Sequence, residues 1–201
     1  SRNSLKNISD IERLLNRIRN LVATPRDLLS LMSSLDILAQ MVENISGKNQ
    51  PICVERLRSL VKKPEFSEII LTIQNSIDEN ASTSVGDGSV IKRNYSTEFD
   101  SFKDDVNKYE RLIADFQASE RKRTGIKSLK VGYNKVFGYY IDVTNAHLSK
   151  VPEYYIRKQT LTNSERYFTE ELKKYEDEIL SSTDEIIIIE NKIYSDIIRY
   201  I

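Results

Sequence analysis

The stretch Leu129–Glu171, LKVGYNKVFGYYIDVTNAHLSKVPEYYIRKQTLTNSERYFTEE, decides how this chain folds. Leu129, Val131, Tyr133, Phe137, Tyr139, Ile141 and Val143 all fall on odd positions, while Lys130, Asn134 and Asp142 fall on even ones. A period of two puts one apolar face on a pair of strands. Tyr133-Asn134-Lys135-Val136 reads as the hairpin turn between them, since Asn tolerates positive φ and Gly132 and Gly138 relax the flanking backbone. After Pro152 the plan repeats from Tyr155 to Phe168, with Thr162 and Asn163 as the second turn. Thr169-Glu170-Glu171 then supplies a cap and the acidic first turn of a new helix.

On both sides of this insert the period is helical. Phe99, Phe102, Val106, Tyr109, Ile113 and Phe116 are spaced three and four apart, the mark of a coiled-coil seam. Beyond the insert, Leu172, Tyr175, Ile179, Ile186, Ile189 and Ile193 continue a similar period, with a polar interruption at Ser182. Because the insert leaves and returns at one place, the two helices are expected to pair antiparallel, each about 40 Å long at 1.5 Å per residue. The fold class is therefore α+β, mainly α: a long antiparallel helical stalk carrying a small antiparallel β-sheet at its tip.

Upstream, Ile8, Ile11, Leu14, Leu15, Ile18, Leu21 and Val22 give one amphipathic helix. Thr24-Pro25 with Asp27 opens a second, in which Thr caps, Pro fits the first helical position and Asp reaches back, and which ends near Gly47. Shorter helices are expected over Ile52–Val61 and Phe66–Ile77, separated by Pro64. Asp78 to Gly88 reads as a mobile polar loop leading into a tight turn at Gly86-Asp87-Gly88.

The 201 residues carry 30% charged side chains against six glycines and four prolines, a bias of long solvated helices rather than of a loop-rich enzyme. Thirty bases balance 30 acids, yet the total hides an asymmetry. Between Arg121 and Phe168 ten Lys and Arg stand against three acids, a local charge of +7 that leaves −7 for the rest. A surplus of that kind is the footprint of a polyanion partner. Asn, Thr, Gln, Lys and Arg in the two turns suit hydrogen bonds to phosphate and sugar, which position a protein on a duplex without reading its sequence. Tyr139, Tyr140, Tyr154 and Tyr155 offer stacking on unpaired bases as an alternative, although tyrosines alternating in strands more often pack across the sheet.

Catalytic constellations are missing. The sequence has no Gly-rich loop of the G-x-x-x-x-G-K type, no Cys/His metal spacing, and a single histidine, His147, read as a solvated turn residue. Carboxylate pairs such as Glu170 with Glu171 and Asp184 with Glu185 read as solvated helix faces. The one cysteine, Cys53, among Ile52, Val54 and Leu57, reads as a small buried hydrophobe in a reducing, cytoplasmic compartment. The longest apolar run is Ile186–Ile189, so no membrane span is expected, and SRNSLKNISD has no apolar signal region.

LKVGYNKVFGYYIDVT, followed by VPEYYIRKQTLTNSERYFTEELKKYEDEIL, resembles the clamp and returning lever helix of the MutS family of DNA mismatch repair proteins. DIERLLNRI, TPRDL, VIKRNYSTEFD and RKRTGIKSLKVGYN are similar to the family's core and lever segments in the same order. The resemblance implies a helical core and lever over 1–124, with its ascending helix at about 96–124, a β clamp at 125–168, and a truncated returning lever helix at 169–201. It implies a duplex DNA grip through non-specific backbone contacts at the hairpin tips, which match Asn134 with neighbouring Lys135, and Thr162 with Asn163. Arg157 and Lys158 join them on electrostatic grounds. For the parent protein it implies a homodimer, a MutL-type partner, a nucleoid-associated cytoplasmic location, and an ATPase domain holding ATP and Mg that this chain lacks, so that no cofactor is expected here. Phe66-Ser67-Glu68 and Phe168-Thr169-Glu170 spell the family's Phe-x-Glu mismatch reader, but fall in core and strand-to-helix positions and read as coincidence. The competing reading is a structural coiled-coil stalk that presents a protein-interaction β module.

Overall fold

The computed structural model describes residues 8–45 and 51–201 and divides into two compact units. One comprises residues up to Phe99 together with Ile186–Ile201, and the other runs Asp100–Glu185.

The first unit is helical. Helix α1, Ile11–Arg19, begins where the Asp10 carboxylate accepts the Arg13 N–H at 2.9 Å, and it buries Leu14 and Ile18. The expected apolar stripe stops short. Leu21 takes a positive φ of 57° to reverse the chain, which leaves Leu21 and Val22 exposed. Helix α2, Pro25–Asn44, opens with the expected capping box between Thr24 and Asp27. Its expected limit at Gly47 lies outside the described residues. Helix α3 spans Ile52–Val61 and α4 spans Pro64–Ser76, with Pro64 starting α4 rather than merely separating two helices. Cys53 is exposed, contrary to the buried position expected, because α3 lies on the surface of the unit and buries none of its residues fully.

The loop expected to be mobile is anchored instead. Ile77 and Ile91 form an antiparallel bridge, and Gly86 and Gly88, both at positive φ, turn the chain so that its amides converge on one carboxylate. Glu190 is fully buried and accepts the N–H groups of Gly86, Gly88, Val90 and Ile91 at 2.8, 2.9, 2.8 and 3.3 Å. Four charge-assisted bonds offset the cost of burying that carboxylate.

Helix α5, Thr97–Thr124, and helix α6, Glu170–Tyr200, run through both units and supply the stems of the second. Between them lie β1, Lys130–Asn134, β2, Gly138–Thr144, a 3₁₀ segment, Asn145–Lys150, β3, Ile156–Thr160, and β4, Ser164–Phe168. The strands form one open antiparallel sheet in the order β1-β2-β4-β3. The fold is thus mainly α with a small antiparallel sheet. Its odd-numbered face packs Ile141, Val143 and Tyr167 with Leu129, Ile126 and Tyr155 onto Ile113 and Phe116 of α5 and Leu172 of α6. The stems meet through side chains, Tyr109 against Tyr175 with centroids 6.2 Å apart, while Phe102 and Val106 are only half-buried. Thr169 caps α6 as expected, its hydroxyl accepting the Leu172 N–H at 3.1 Å.

Candidate nucleic-acid interface

Register places the two hairpin turns at opposite ends of the sheet. Asn134 pairs with Gly138 at one end, and Thr144 pairs with Ser164 at the other. Six residue steps along β2, from Gly138 to Thr144, separate them, about 20 Å at 3.3 Å per step. The chain leaves α5 at Thr124 and turns back along it: Arg121 donates to the Leu129 carbonyl at 2.7 Å, and the Val131 N–H donates to Gln117 at 2.7 Å. The β1–β2 turn therefore points back along the stems, and the β3–β4 turn lies at the free end.

This separation divides the residues expected to face DNA. Asn134 spends its side chain on its own turn, Oδ1 accepting the Val136 N–H at 2.8 Å and the Phe137 N–H at 3.3 Å. Lys135 is exposed beside it, among Tyr133, Val136 and Phe137, which are 52%, 81% and 38% exposed. Tyr133 and Phe137 of the odd-numbered face, with Val136 in the turn itself, thus surface beyond the reach of the core. Arg157 lies opposite Tyr167 on β4 and pairs with Glu165 at 3.6 Å. Lys158 occupies an irregularity in β3, where its ammonium donates to the Phe137 carbonyl and lies 5.4 Å from the Phe168 ring centroid.

Thr162 and Asn163 occupy the free end with their side chains exposed. Asn145 holds this loop by its backbone, donating its own N–H to the Asn163 carbonyl at 3.1 Å and its side-chain amide to the Thr162 carbonyl at 3.0 Å. Three segments make up the rim: 125–130, the 3₁₀ segment and 160–164. Lys127, Lys130 and Lys150 are exposed on it, with Ser128, Asn145, Ser149 and Thr160, and the three segments contain no Asp or Glu. Sequence reasoning counted these lysines in the +7 segment without picking them out. The signal available was their place at or just before the start of β1 and in the segment just after β2, rather than in a hairpin turn.

Behind the rim, two buried carboxylates were missed altogether. Glu120 on α5 accepts the Tyr154 and Tyr155 hydroxyls at 2.8 and 2.7 Å and pairs with Arg123. Burial, and then the hydrogen bond to Glu120 and its charge, push the Tyr154 phenol up to about 12 and Tyr155 higher still. Glu176 on α6 accepts the Tyr139 N–H at 3.1 Å and pairs with Lys173 at 3.4 Å. The tyrosines pack across the sheet, Tyr133 with Tyr139 at 5.0 Å and Tyr155 with Tyr167 at 5.7 Å, and the Arg166 guanidinium covers Tyr140 at 4.2 Å. Tyr154 stays 44% exposed, and His147 is half-buried rather than solvated.

The family model described as MutS family domain IV matches residues 94–185. The DNA mismatch repair protein MutS of Methanosarcina acetivorans is 43% identical over 199 residues, covering 98% of this chain and 22% of that protein. The MutS of Clostridium beijerinckii is 43% identical over 197 residues, 98% of this chain and 21% of its own length. That of Thermotoga maritima is 39% identical over 197 residues, 98% of this chain and 24% of its own length. The chain belongs to the MutS family. It spans between a fifth and a quarter of the length of these MutS relatives, and the domain IV match contains all four strands and the whole free rim. Among the described residues, no helix is long and apolar enough to cross a membrane.

Proposed function

We propose that this chain is the lever and clamp portion of a DNA mismatch repair sensor, and that the free rim of its sheet grips duplex DNA through the phosphate backbone. The observation that carries the reading is the rim itself. Three exposed lysines stand among amide and hydroxyl side chains, with no carboxylate on its three segments, at the end of the sheet that points away from its stems. Such side chains neutralise and hydrogen-bond phosphates without reading bases. Thr162 and Asn163 belong to this contact with Asn145, Lys127, Lys130 and Lys150. The placement of Asn134, Lys135, Arg157 and Lys158 argues for leaving them out of it. In the parent protein the grip would serve a homodimer driven by an ATPase domain that holds ATP and Mg, working with a MutL-type partner at the nucleoid in the cytoplasm, an extension that rests on the family resemblance of the sequence alone.

Anisotropy titration of a labelled duplex over a NaCl series tests the rim. The log affinity should fall against log salt with a slope near −0.9 per phosphate neutralised. Reversing Lys127, Lys130 and Lys150 together to Glu should abolish binding. Undiminished affinity and slope in that variant reject the rim as the contact, and preference for single strands over duplex would move the site to the tyrosines.

A second reading rests on the other turn. Exposed Tyr133, Val136 and Phe137 have the chemistry of protein contact, which supports an interaction module on a structural stalk. Salt-insensitive failure to bind any DNA favours it.

A further inference from the structure

Within the sheet-bearing unit, each stem holds the sheet by one buried glutamate. On α5, Glu120 is 1% exposed and clasps the segment that enters β3, taking the hydroxyls of Tyr154 and Tyr155. Arg123 completes that clasp, pairing with Glu120 while its guanidinium lies 4.6 Å from the Tyr154 ring centroid. On α6, Glu176 is 6% exposed and clasps the start of β2, taking the Tyr139 amide. The neighbouring residue is Gly138, at φ +72°, where any Cβ would run into the Glu176 carboxylate. The strand can approach the helix that closely only because residue 138 has no side chain.

Stability alone does not account for two charges in these positions. A buried ion pair contributes little net free energy compared with well-packed apolar residues of the same volume, since desolvation offsets most of its attraction. Packed methyl groups also tolerate small rotations about the contact, whereas a carboxylate that accepts defined O–H and N–H donors accepts them in one arrangement. The difference matters because of leverage. Glu176 engages the sheet at the β1–β2 end, about 20 Å from the free rim by strand rise. A rocking of about 10° there moves the rim by roughly 3 Å, about the length of a hydrogen bond.

We infer that Glu120 and Glu176 are positioning residues that fix the tilt of the sheet on its two stems, and so set where the rim meets a duplex. The second half rests on the DNA-gripping reading; the first does not.

Spin labels at Arg111→Cys and Ser149→Cys, in a Cys53→Ser background of the whole chain, read the tilt directly by pulsed electron spin resonance. The reference chain should give one narrow distance distribution. Glu176→Met, similar in volume but without an acceptor, should broaden it, while Glu176→Gln, whose amide oxygen still accepts the Tyr139 N–H, should keep it narrow. If Glu176→Met fails to fold, the double variant Tyr154→Phe/Tyr155→Phe strips Glu120 of both hydroxyls and should broaden the distribution from the other stem. An unchanged width and mean in the folded variants overturns the assignment.

The grip is read separately, by duplex titration of the unlabelled variants. If about a tenth of the Glu176→Met molecules hold the working tilt, affinity falls about tenfold. The salt slope should stay that of the reference, because the same phosphates are contacted. A purely structural role would lower thermal stability and leave the affinity of the folded chain intact, and that result overturns the link to DNA. Should the reference chain bind no duplex, the DNA reading fails, while the distance widths still decide the tilt.

Discussion

Glu190 and Gly88 lie 102 residues apart in the chain, and the carboxylate of one accepts the backbone N–H of the other at 2.9 Å in the buried interior of the helical unit. The same carboxylate takes Gly86, Val90 and Ile91, so Glu190→Ala would leave four amides without their acceptor. An unsatisfied buried donor costs on the order of 1–3 kcal/mol, and removing one partner of a buried charged interaction typically costs about 3–5 kcal/mol. Glu190→Ala should therefore lower stability by about 4 kcal/mol in urea unfolding. Glu190→Gln, which keeps one acceptor oxygen, should lose roughly half as much. A loss below about 1 kcal/mol for Ala would mean that the loop finds other acceptors.

The elements that were legible in the sequence are those specified locally. Thr24, Pro25 and Asp27 write a capping box within four residues, and the strand alternation from Leu129 to Val143 fixes a face by period alone. What could not be read depends on partners distant in sequence. Glu120, Glu176 and Glu190 look like ordinary solvated helix residues until their place is noticed: each stands four residues beyond a buried apolar residue, Phe116, Leu172 and Ile186, on the same helix face. A carboxylate on an apolar stripe is the available signal, but its amide and hydroxyl partners lie on other elements. The separation of the two turns was hidden for a different reason. Two similar hairpins give the same local pattern, and only the pairing of β2 with β4, which puts Ser164 beside Thr144, sends the second turn to the far end.

Gly138 and Gly125 offer a matched pair of substitutions. Their φ values are +72° and +69°, so Ala at either position meets the same backbone penalty, about 1–2 kcal/mol. A Cβ on residue 125 would have nothing within 4 Å of it, whereas at Gly138 the Glu176 carboxylate occupies the space. Gly138→Ala should thus destabilise by at least about 1 kcal/mol more than Gly125→Ala, in keeping with the cost of overpacking. Thermal unfolding of the two variants decides this, and equal losses would show that Glu176 yields freely.

Asp27 makes stability of the helical unit depend on acid pH. Burial raises its pKa, but the Thr24 amide and hydroxyl at 2.8 Å each and Arg17 at 2.9 Å outweigh burial and hold the carboxyl below its ordinary value. A depressed folded pKa contributes stability that is present above the unfolded value, near 3.9, and is lost as pH falls through the folded one. Asp27→Asn should therefore unfold at a lower temperature than the parent chain at pH 7, by a margin that stays constant down to about pH 5 and closes below about pH 4. A margin that persists unchanged at pH 2 would assign the effect to the lost geometry of the cap rather than to charge.

Two lysines toward opposite ends of the sheet separate the rim from the β1–β2 turn that the sequence also assigned to DNA. Lys150 is exposed on the 3₁₀ segment that follows β2 at the free end, and Lys135 is exposed on the turn that precedes β2 and points back along the stems, the two ends of β2 being about 20 Å apart by strand rise. Both side chains are long, flexible and solvated, so neither single reversal to Glu should disturb the fold, and any difference between them reports on where the phosphates lie. If the rim makes the contact, Lys150→Glu should weaken duplex binding and reduce the salt slope by about one, the share of one phosphate neutralised. Lys135→Glu should leave the slope unchanged and the affinity within about twofold, because at about 20 Å roughly two Debye lengths of physiological salt separate it from the duplex. Anisotropy titrations of both variants over one salt series give the comparison directly. Equal losses from the two lysines would mean that the duplex runs along the sheet rather than across its free end, and would bring Asn134 and Lys135 back into the contact.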